Sequence, residues 1–314
     1  MRLNRSALLL LALFAGLALA DEPPRSPRAD ISIRRAAGNS EIVVTTTSRL
    51  AGAVHSLTWN GQEFINSTDH GRQLQSASSF SSGEKHWAEA FNPTEAGSRD
   101  DGAGPTSTSR LLHSVATNSS LQTTTQMAFW LSPGQKSAEH LALNATKLSN
   151  HLLTKRIQIG LPDFPHVICY DVTFTVPLNE QHTFAQFESL TGYMPEVFRA
   201  FWIFRPDTGD LQPLSDGPGE QPFPLVLSTE SGSHAMGIYS PQQPSAGFEN
   251  AGYGRWRFER ERVVKWNSVF RQRNAAGLES GEYSFQNFVV VGDRETVRTS
   301  LIELHRRFLP KRKA

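Results

Sequence analysis

The chain has 314 residues, of which 31 are basic and 30 acidic, for a formal net charge of +1, with 38% hydrophobic residues, 10% aromatics and one cysteine. That balance supplies no electrostatic footprint for nucleic acid. A lone cysteine permits no internal disulfide and leads us to expect no disulfide-linked partner. Beyond the amino-terminal segment, no stretch has the ~20 consecutive apolar residues of a spanning helix.

The amino terminus reads as a targeting segment. Arg2 and Arg5 form a positive region, Ala7 to Leu19 an apolar one, and Ala18-Leu19-Ala20 a small-residue cleavage site. Residues 1–20 are therefore expected to be a signal peptide, with cleavage after Ala20 and a periplasmic or secreted product. Residues 21–30, "DEPPRSPRAD", are rich in proline and charge and are expected to form a disordered lead-in.

Strand signals then continue almost without interruption. "ISIRR" and "EIVVTTT" are rich in β-branched residues. "AVHSLTWNGQEFIN" puts Asn60-Gly61 between two alternating runs, a strong hairpin signal. In "VICYDVTFTV", Ile168, Tyr170, Val172, Phe174 and Val176 share one face, while Cys169, Asp171, Thr173 and Thr175 share the other. Cys169 reads as a small packing residue rather than a nucleophile.

Further runs are "SLQTTTQMAFWL", "LTKRIQIG", "HTFAQFESL", "RAFWIFR", "HAMGIYS", "RVVKWNSVFRQ" and "EYSFQNFVVV". In "RVVKWNSVFRQ", Val264, Trp266 and Phe270 suit a core, whereas Lys265, Asn267 and Arg271 suit a wet face. In "HTFAQFESL", His182, Gln186 and Glu188 likewise share a face with one phenylalanine, Phe184. One helix is expected near the carboxyl terminus, with Asp293 as N-cap and Val297, Leu301, Leu304 and Phe308 on one face.

So many strands exceed what one open twisted sheet accommodates. The expected fold is therefore all-β: a large two-sheet antiparallel β-sandwich with a C-terminal helix. Residues 31–309 show no composition break and are taken as a single domain, with 310–314 as a basic tail.

The familiar phosphate-loop, dinucleotide, nucleophile-elbow and HExxH motifs are absent. No metal ligand and no cofactor is assigned, although a histidine–carboxylate site assembled from distant strands stays open.

Four stretches offer chemistry. Residues 66–102 come directly after the hairpin and contain two histidines, three glutamates, three aspartates and a tryptophan. Their first part, "TDHGR", carries Asp69, His70 and Arg72: a carboxylate beside an imidazole for acid–base work, and a guanidinium for binding oxygens. The alternative is a polar strand start with an Asp–Arg pair. Further on, "EKHWAEAFNPTEAG" carries His86, Trp87, Glu89, Asn92 and Glu95, an indole platform beside carboxylates, or else a loop packing its own aromatics. The third stretch holds Tyr193 and Trp202 and ends in "SDGPGEQP", expected to be a fixed turn projecting Asp216 and Glu220. The fourth, "ENAGYGRWRFERERVVKW", offers Arg255 and Trp256 as a ring platform with a cation, or a strand edge covered by arginine stems.

"LAGAVHSLTWNGQEFINSTDHGRQLQSA", residues 50–77, resembles the opening of galactose-mutarotase-like proteins of the aldose 1-epimerase superfamily. That resemblance implies a β-supersandwich with a carbohydrate held on its concave sheet face. It also implies a histidine acid and a late glutamate base, for which Phe248-Glu249-Asn250 is a candidate segment. The same fold serves polysaccharide lyases, glycosidase domains and non-catalytic relatives, so it limits the ligand class more than the reaction.

The expectation is an exported carbohydrate-active enzyme that cleaves an oligo- or polysaccharide by hydrolysis or β-elimination. His70, Glu95, Asp69, Glu220 and Asp216 would be its acid–base candidates. Arg72, His86, Trp87, Asn92, Tyr193, Trp202, Arg255 and Trp256 would hold the sugar. A non-catalytic glycan-binding or envelope-associated protein and a sugar 1-epimerase are the alternatives. These residues should converge on one cleft.

Overall fold

The computed structural model describes residues 28–241 and 252–308. The leader, most of the lead-in, the segment 248–250 and the basic tail lie outside the described residues. Among the described residues every strand pairing is antiparallel, with nineteen strands joined in one hydrogen-bonded network and a separate two-stranded ribbon.

The network folds over into two layers. In the first, strands pair in the order Ser32–Ala37, Ser40–Thr46, Val54–Trp59, Leu74–Phe80, Phe184–Pro195, Val263–Arg273, Gly252–Phe258 and Gly219–Gln221. In the second, Arg110–Ala116 pairs with Ser120–Phe129, and then come Leu148–Leu161, Phe164–Val176, Gly281–Gly292, Ala235–Tyr239 and Leu225–Ser228. Two sheets were expected; the short strand Pro93–Thr94 makes them one ladder by pairing Thr94 with both Ala77 and Ala128.

The layers close on an aromatic core. Phe187 and Phe270 of the first layer meet Phe174 and Phe285 of the second, with ring centroids 4.6–5.2 Å apart. Successive side chains of a strand point to opposite faces of its sheet. With Phe187, Trp266 and Phe270 turned to the core, Phe184, Gln186, Glu188, Lys265, Asn267 and Arg271 lie on the outward face of the first layer.

Asp293 accepts a hydrogen bond from the Thr296 amide at 2.7 Å and caps the helix Arg294–Phe308, as its sequence predicts. Val297, Leu301 and Leu304 of that helix are buried on the outward face of the second layer, against Val167, Phe288 and Val290. Each such side chain contributes roughly 1.5–3 kcal/mol by leaving water. Cys169 packs beside this cluster, and burial, with Asp171 adjacent, pushes its thiol up to about 12. It is inert as a nucleophile at neutral pH. No described helix is long and apolar enough to cross a membrane.

Several strands escaped the sequence pattern, among them Arg110–Ala116, Leu225–Ser228 and Gly219–Gln221, the last within the segment expected to be a turn, where it pairs with Gly252–Phe258. Another, Leu74–Phe80, "LQSASSF", lies inside the aperiodic stretch and is nearly buried on both faces. Its small side chains leave room for neighbours: Ser76 donates to the Ser189 carbonyl at 2.7 Å from its hydroxyl and to Glu95 at 3.1 Å from its amide. Polar composition concealed an inner strand.

Candidate functional site

A cleft of about 390 Å³ opens on the outward face of the first layer. Gln75 and Ala77 come from strand Leu74–Phe80, Glu188, Thr191 and Tyr193 from Phe184–Pro195, Lys265 from Val263–Arg273, and Trp256 and Phe258 from Gly252–Phe258. Cross-strand register explains the convergence, because Tyr193 and Trp256 both stand directly opposite Lys265 and neighbours in register share a face. The wall across from these strands is Glu89, Asn92 and Trp130.

Lys265 is the centre of this arrangement. Its Nζ lies 3.6 Å from Glu188 Oε2, 5.2 Å from the centre of the Tyr193 ring and 4.8 Å from that of Trp256. Thr191 donates its hydroxyl to Glu188 Oε2 at 2.8 Å. Burial disfavours both charges, yet each is strengthened by the other. The Lys265 charge, with smaller contributions from the Thr191 and Asn267 hydrogen bonds, holds the Glu188 carboxyl below its usual value. Glu188 and Tyr193 raise the Lys265 ammonium above its own.

Glycines make room for the aromatic walls. A Cβ on Gly254 would come within 2.3 Å of the Trp256 ring, and one on Gly71 within 2.8 Å of the Trp130 ring. Tyr193 and Phe258 stack at 6.5 Å between centroids and 20° between planes. Asn92 is fixed by donating to the Ser78 carbonyl at 2.6 Å.

The wet face continues past this cleft. Glu220 stands opposite Gly254, and its carboxylate is held by Arg271 through two 2.7 Å hydrogen bonds. Arg271 also donates to Gln186 at 2.9 Å. Beyond it, His86 meets the Phe184 ring edge-on at 4.3 Å and lies 3.4 Å from Ser79 Oγ. Desolvation there, with Arg273 and Arg271 nearby, keeps the His86 imidazole below its usual value. From Phe184 to Tyr193 the strand extends roughly 30 Å.

The structure thus brings Asn92, Tyr193 and Trp256 into one cleft and puts Glu220 and His86 on its continuation. Asp69 and Arg72 flank Gly71 at the rim, paired at 3.4 Å. Trp87 stays on the surface, 39% exposed, stacked at 4.2 Å on His140 of the small ribbon.

The remaining candidates lie elsewhere. His70 is buried, with Nδ1 2.8 Å from the Gly102 carbonyl and Nε2 2.8 Å from that of Arg49, so neither nitrogen faces a substrate. Glu95 is fully buried between the layers, ion-paired with the equally buried Lys155, whose Nζ also donates to the Gly52 carbonyl at 2.8 Å. Asp216 meets Arg257 at 3.5 Å on an exposed turn. Arg255 reaches back to Ser215 O at 2.6 Å and Gln221 at 2.8 Å, bracing the turn expected to project carboxylates. Trp202 lies under the Arg294 guanidinium at 4.5 Å, beside the helix.

Among residues not proposed as site groups, Lys265 and Glu188 were visible as members of wet strand faces. Trp130 carried no signal, since it comes at the end of a strand and reads like one more core aromatic. A larger cavity of about 860 Å³ is lined by Glu196, Arg199, Glu230 and Arg262. Those charges pair with one another at 2.8–3.0 Å, and among the described residues no tryptophan or tyrosine lines it.

No family model matches the chain, and no curated protein matches it. Among solved structures, it is similar to the Slr1438 protein of Synechocystis sp. PCC 6803, at 12% identity over 87% of this chain and 99% of that one, with a TM-score of 0.43. It is also similar to the GH36 α-galactosidase AgaA of Geobacillus stearothermophilus, at 10% identity over 90% of this chain and 44% of that one, TM-score 0.46. Heparan sulfate lyase HepC of Pedobacter heparinus is similar at 9% identity over 85% of this chain and 36% of that one, TM-score 0.41. Likenesses this distant assign neither a family nor an activity.

Proposed function

We propose that the cleft binds a neutral oligosaccharide and that Glu188 takes part in hydrolysing it. The observation that carries this reading is the Glu188–Lys265 pair seated between the faces of Tyr193 and Trp256. Sugar rings present apolar C–H faces and a hydroxyl rim. They are matched by flat aromatic walls with a few fixed polar groups, here Gln75, Asn92 and Thr191.

Charge balance favours a neutral ligand. Three cations in and beside the cleft have carboxylate partners: Lys265 with Glu188, Arg271 with Glu220, Arg72 with Asp69. A uronate-rich chain would call for cations in excess.

Glycoside hydrolysis requires two carboxyl groups in different protonation states. Glu188, kept ionised by Lys265, suits the anionic role that attacks or stabilises the anomeric carbon. Glu89, on the opposite wall, is a second carboxyl group lining the cleft and the candidate for the other role. A leader at residues 1–20 would deliver the protein to the compartment where such glycans are met.

A binding-only role is the second reading. It is favoured by the engagement of Glu188 with both Lys265 and Thr191, which uses the lone pairs a reaction would need.

Incubation with neutral and uronate polysaccharides tests the proposal, reading reducing ends and the ultraviolet absorbance of unsaturated products. The expected result is new reducing ends from a neutral glycan, abolished in Glu188→Gln. Unsaturated products would replace hydrolysis with elimination, and binding without turnover would leave the second reading.

A further inference from the structure

At the edge of the core, against Phe80 and on the opposite face of the first layer from the cleft, two histidines and a glutamate converge from segments far apart in sequence. His151 lies on strand Leu148–Leu161, while Glu180 and His182 lie between strands Phe164–Val176 and Phe184–Pro195. Glu180 Oε2 is 2.7 Å from His151 Nε2 and 3.0 Å from His182 Nε2. The three ligating atoms all lie within 4.8 Å of one another. We propose that this cluster is a binding site for a divalent transition-metal ion of the Zn²⁺ type.

The donor set fits that chemistry. Two imidazoles and a carboxylate suit Zn²⁺ and its neighbours rather than Ca²⁺ or Mg²⁺, which take oxygen ligands. His182 is already oriented, because its Nδ1 lies 2.6 Å from the Ser81 carbonyl and donates there, which leaves the Nε2 lone pair directed at the cluster. A metal-bound histidine is oriented by such a hydrogen bond from its other nitrogen. Ser81 is itself fixed, its hydroxyl accepting from the Thr183 and Phe184 amides at 2.9 and 3.1 Å.

The surroundings fit as well. Phe80 lies against both imidazoles, with ring centroids at 4.8 and 4.7 Å, and Phe91 packs on His182 at 5.4 Å. These rings exclude water from one side. On the other, Glu180 and His182 line a cavity of about 570 Å³, which provides an entry path and room for a fourth ligand. Bonds of about 2.0–2.2 Å in a tetrahedral site put ligand atoms roughly 3.3–3.5 Å apart. The Glu180 oxygen therefore needs to retreat by less than about 1 Å from its present contacts. Glu180 sits in the connection between two strands rather than in either ladder, so that movement disturbs no strand pairing.

The bound ion would tie the 177–183 connection to the second layer. A histidine–carboxylate hydrogen-bond network serving packing alone would instead retain no metal.

The test is equilibrium dialysis of the tag-free, chelator-stripped protein against Zn²⁺. It is repeated on Glu180→Gln, His182→Ala and, as a control, His140→Ala on the surface ribbon. The expected result is one Zn²⁺ per chain, with affinity reduced ~100-fold or more by Glu180→Gln and His182→Ala and unchanged by His140→Ala. Glu180→Gln keeps shape and hydrogen-bonding capacity, so its loss of affinity would not reflect unfolding; circular dichroism checks each variant. Co²⁺ in place of Zn²⁺ should give the intense visible absorption of four-coordinate cobalt. Absence of saturable binding in the wild type, or equal affinity in wild type, Glu180→Gln and His182→Ala, would overturn the proposal.

Discussion

Lys265 and Glu188 form an ion pair at 3.6 Å, and the side chains are only 15% and 23% exposed. They sit on adjacent strands, Val263–Arg273 and Phe184–Pro195, at the floor of the cleft. Removing the carboxylate leaves a half-buried ammonium between two aromatic rings, and so separates chemistry from binding. Glu188→Gln is expected to lower turnover of the glycan substrate by roughly 10²-fold or more, the usual scale for a lost acid–base or charge-stabilising group. Its affinity for the same glycan should change by less than about tenfold, because the walls are untouched. Steady-state kinetics and titration calorimetry on the one variant check both halves.

The same pair predicts a pH dependence of stability. Despite burial, Lys265 holds the Glu188 carboxyl below its ordinary 4.5, so its contribution is complete above that pH and is lost as pH falls through the lowered value. Despite burial, Glu188 holds the Lys265 ammonium above its ordinary 10.5, so that contribution is complete below that pH and is lost as pH rises past the raised value. Glu188→Gln/Lys265→Met should therefore lose less Tm than the wild type between about pH 7 and about pH 3, measured by thermal melts in matched salt.

Glu95 and Lys155 make a second ion pair of a different kind, both side chains fully excluded from solvent between the layers. Breaking a buried pair by removing one partner strands the other charge, at a cost of ~3–5 kcal/mol. Glu95→Gln and Lys155→Met singly should each destabilise by about that amount in urea unfolding. The double substitution should recover most of the loss. Turnover per folded molecule should stay unchanged in Glu95→Gln, whereas a catalytic Glu95 would abolish it.

How much of the fold and site was legible depended on periodicity. Alternation in 168–176, the Asn60-Gly61 hairpin and the Asp293 cap are local patterns, and the structure keeps each of them. Alternation also marked Glu188 and Lys265 as wet-face residues. The role of Glu95 could not be read locally, because its partner Lys155 is 60 residues away and sits among core aliphatics. His70 looked reactive beside Asp69 and Arg72. Yet the turn closed by Asp69 Oδ1 and the Gly71 amide at 2.9 Å leaves the imidazole inside, where backbone carbonyls bind it. Trp130 was indistinguishable from a core residue until Gly71 was seen beneath its ring. The aperiodic stretch 66–102 mixes an inner strand, a buried carboxylate and a cleft wall, and composition alone does not separate them.

The walls offer the most direct test. Trp256 lies over Gly254, against Lys265, and half of the proposed sugar platform depends on it. The measurement is calorimetric titration of wild-type protein and Trp256→Ala with the tightest-binding neutral oligosaccharide from a glycan panel. Saturable binding to the wild type, weakened about tenfold or ~1.4 kcal/mol in Trp256→Ala, is the predicted result. No binding of any neutral oligosaccharide, or equal affinity in the two proteins, would contradict a carbohydrate cleft at this site.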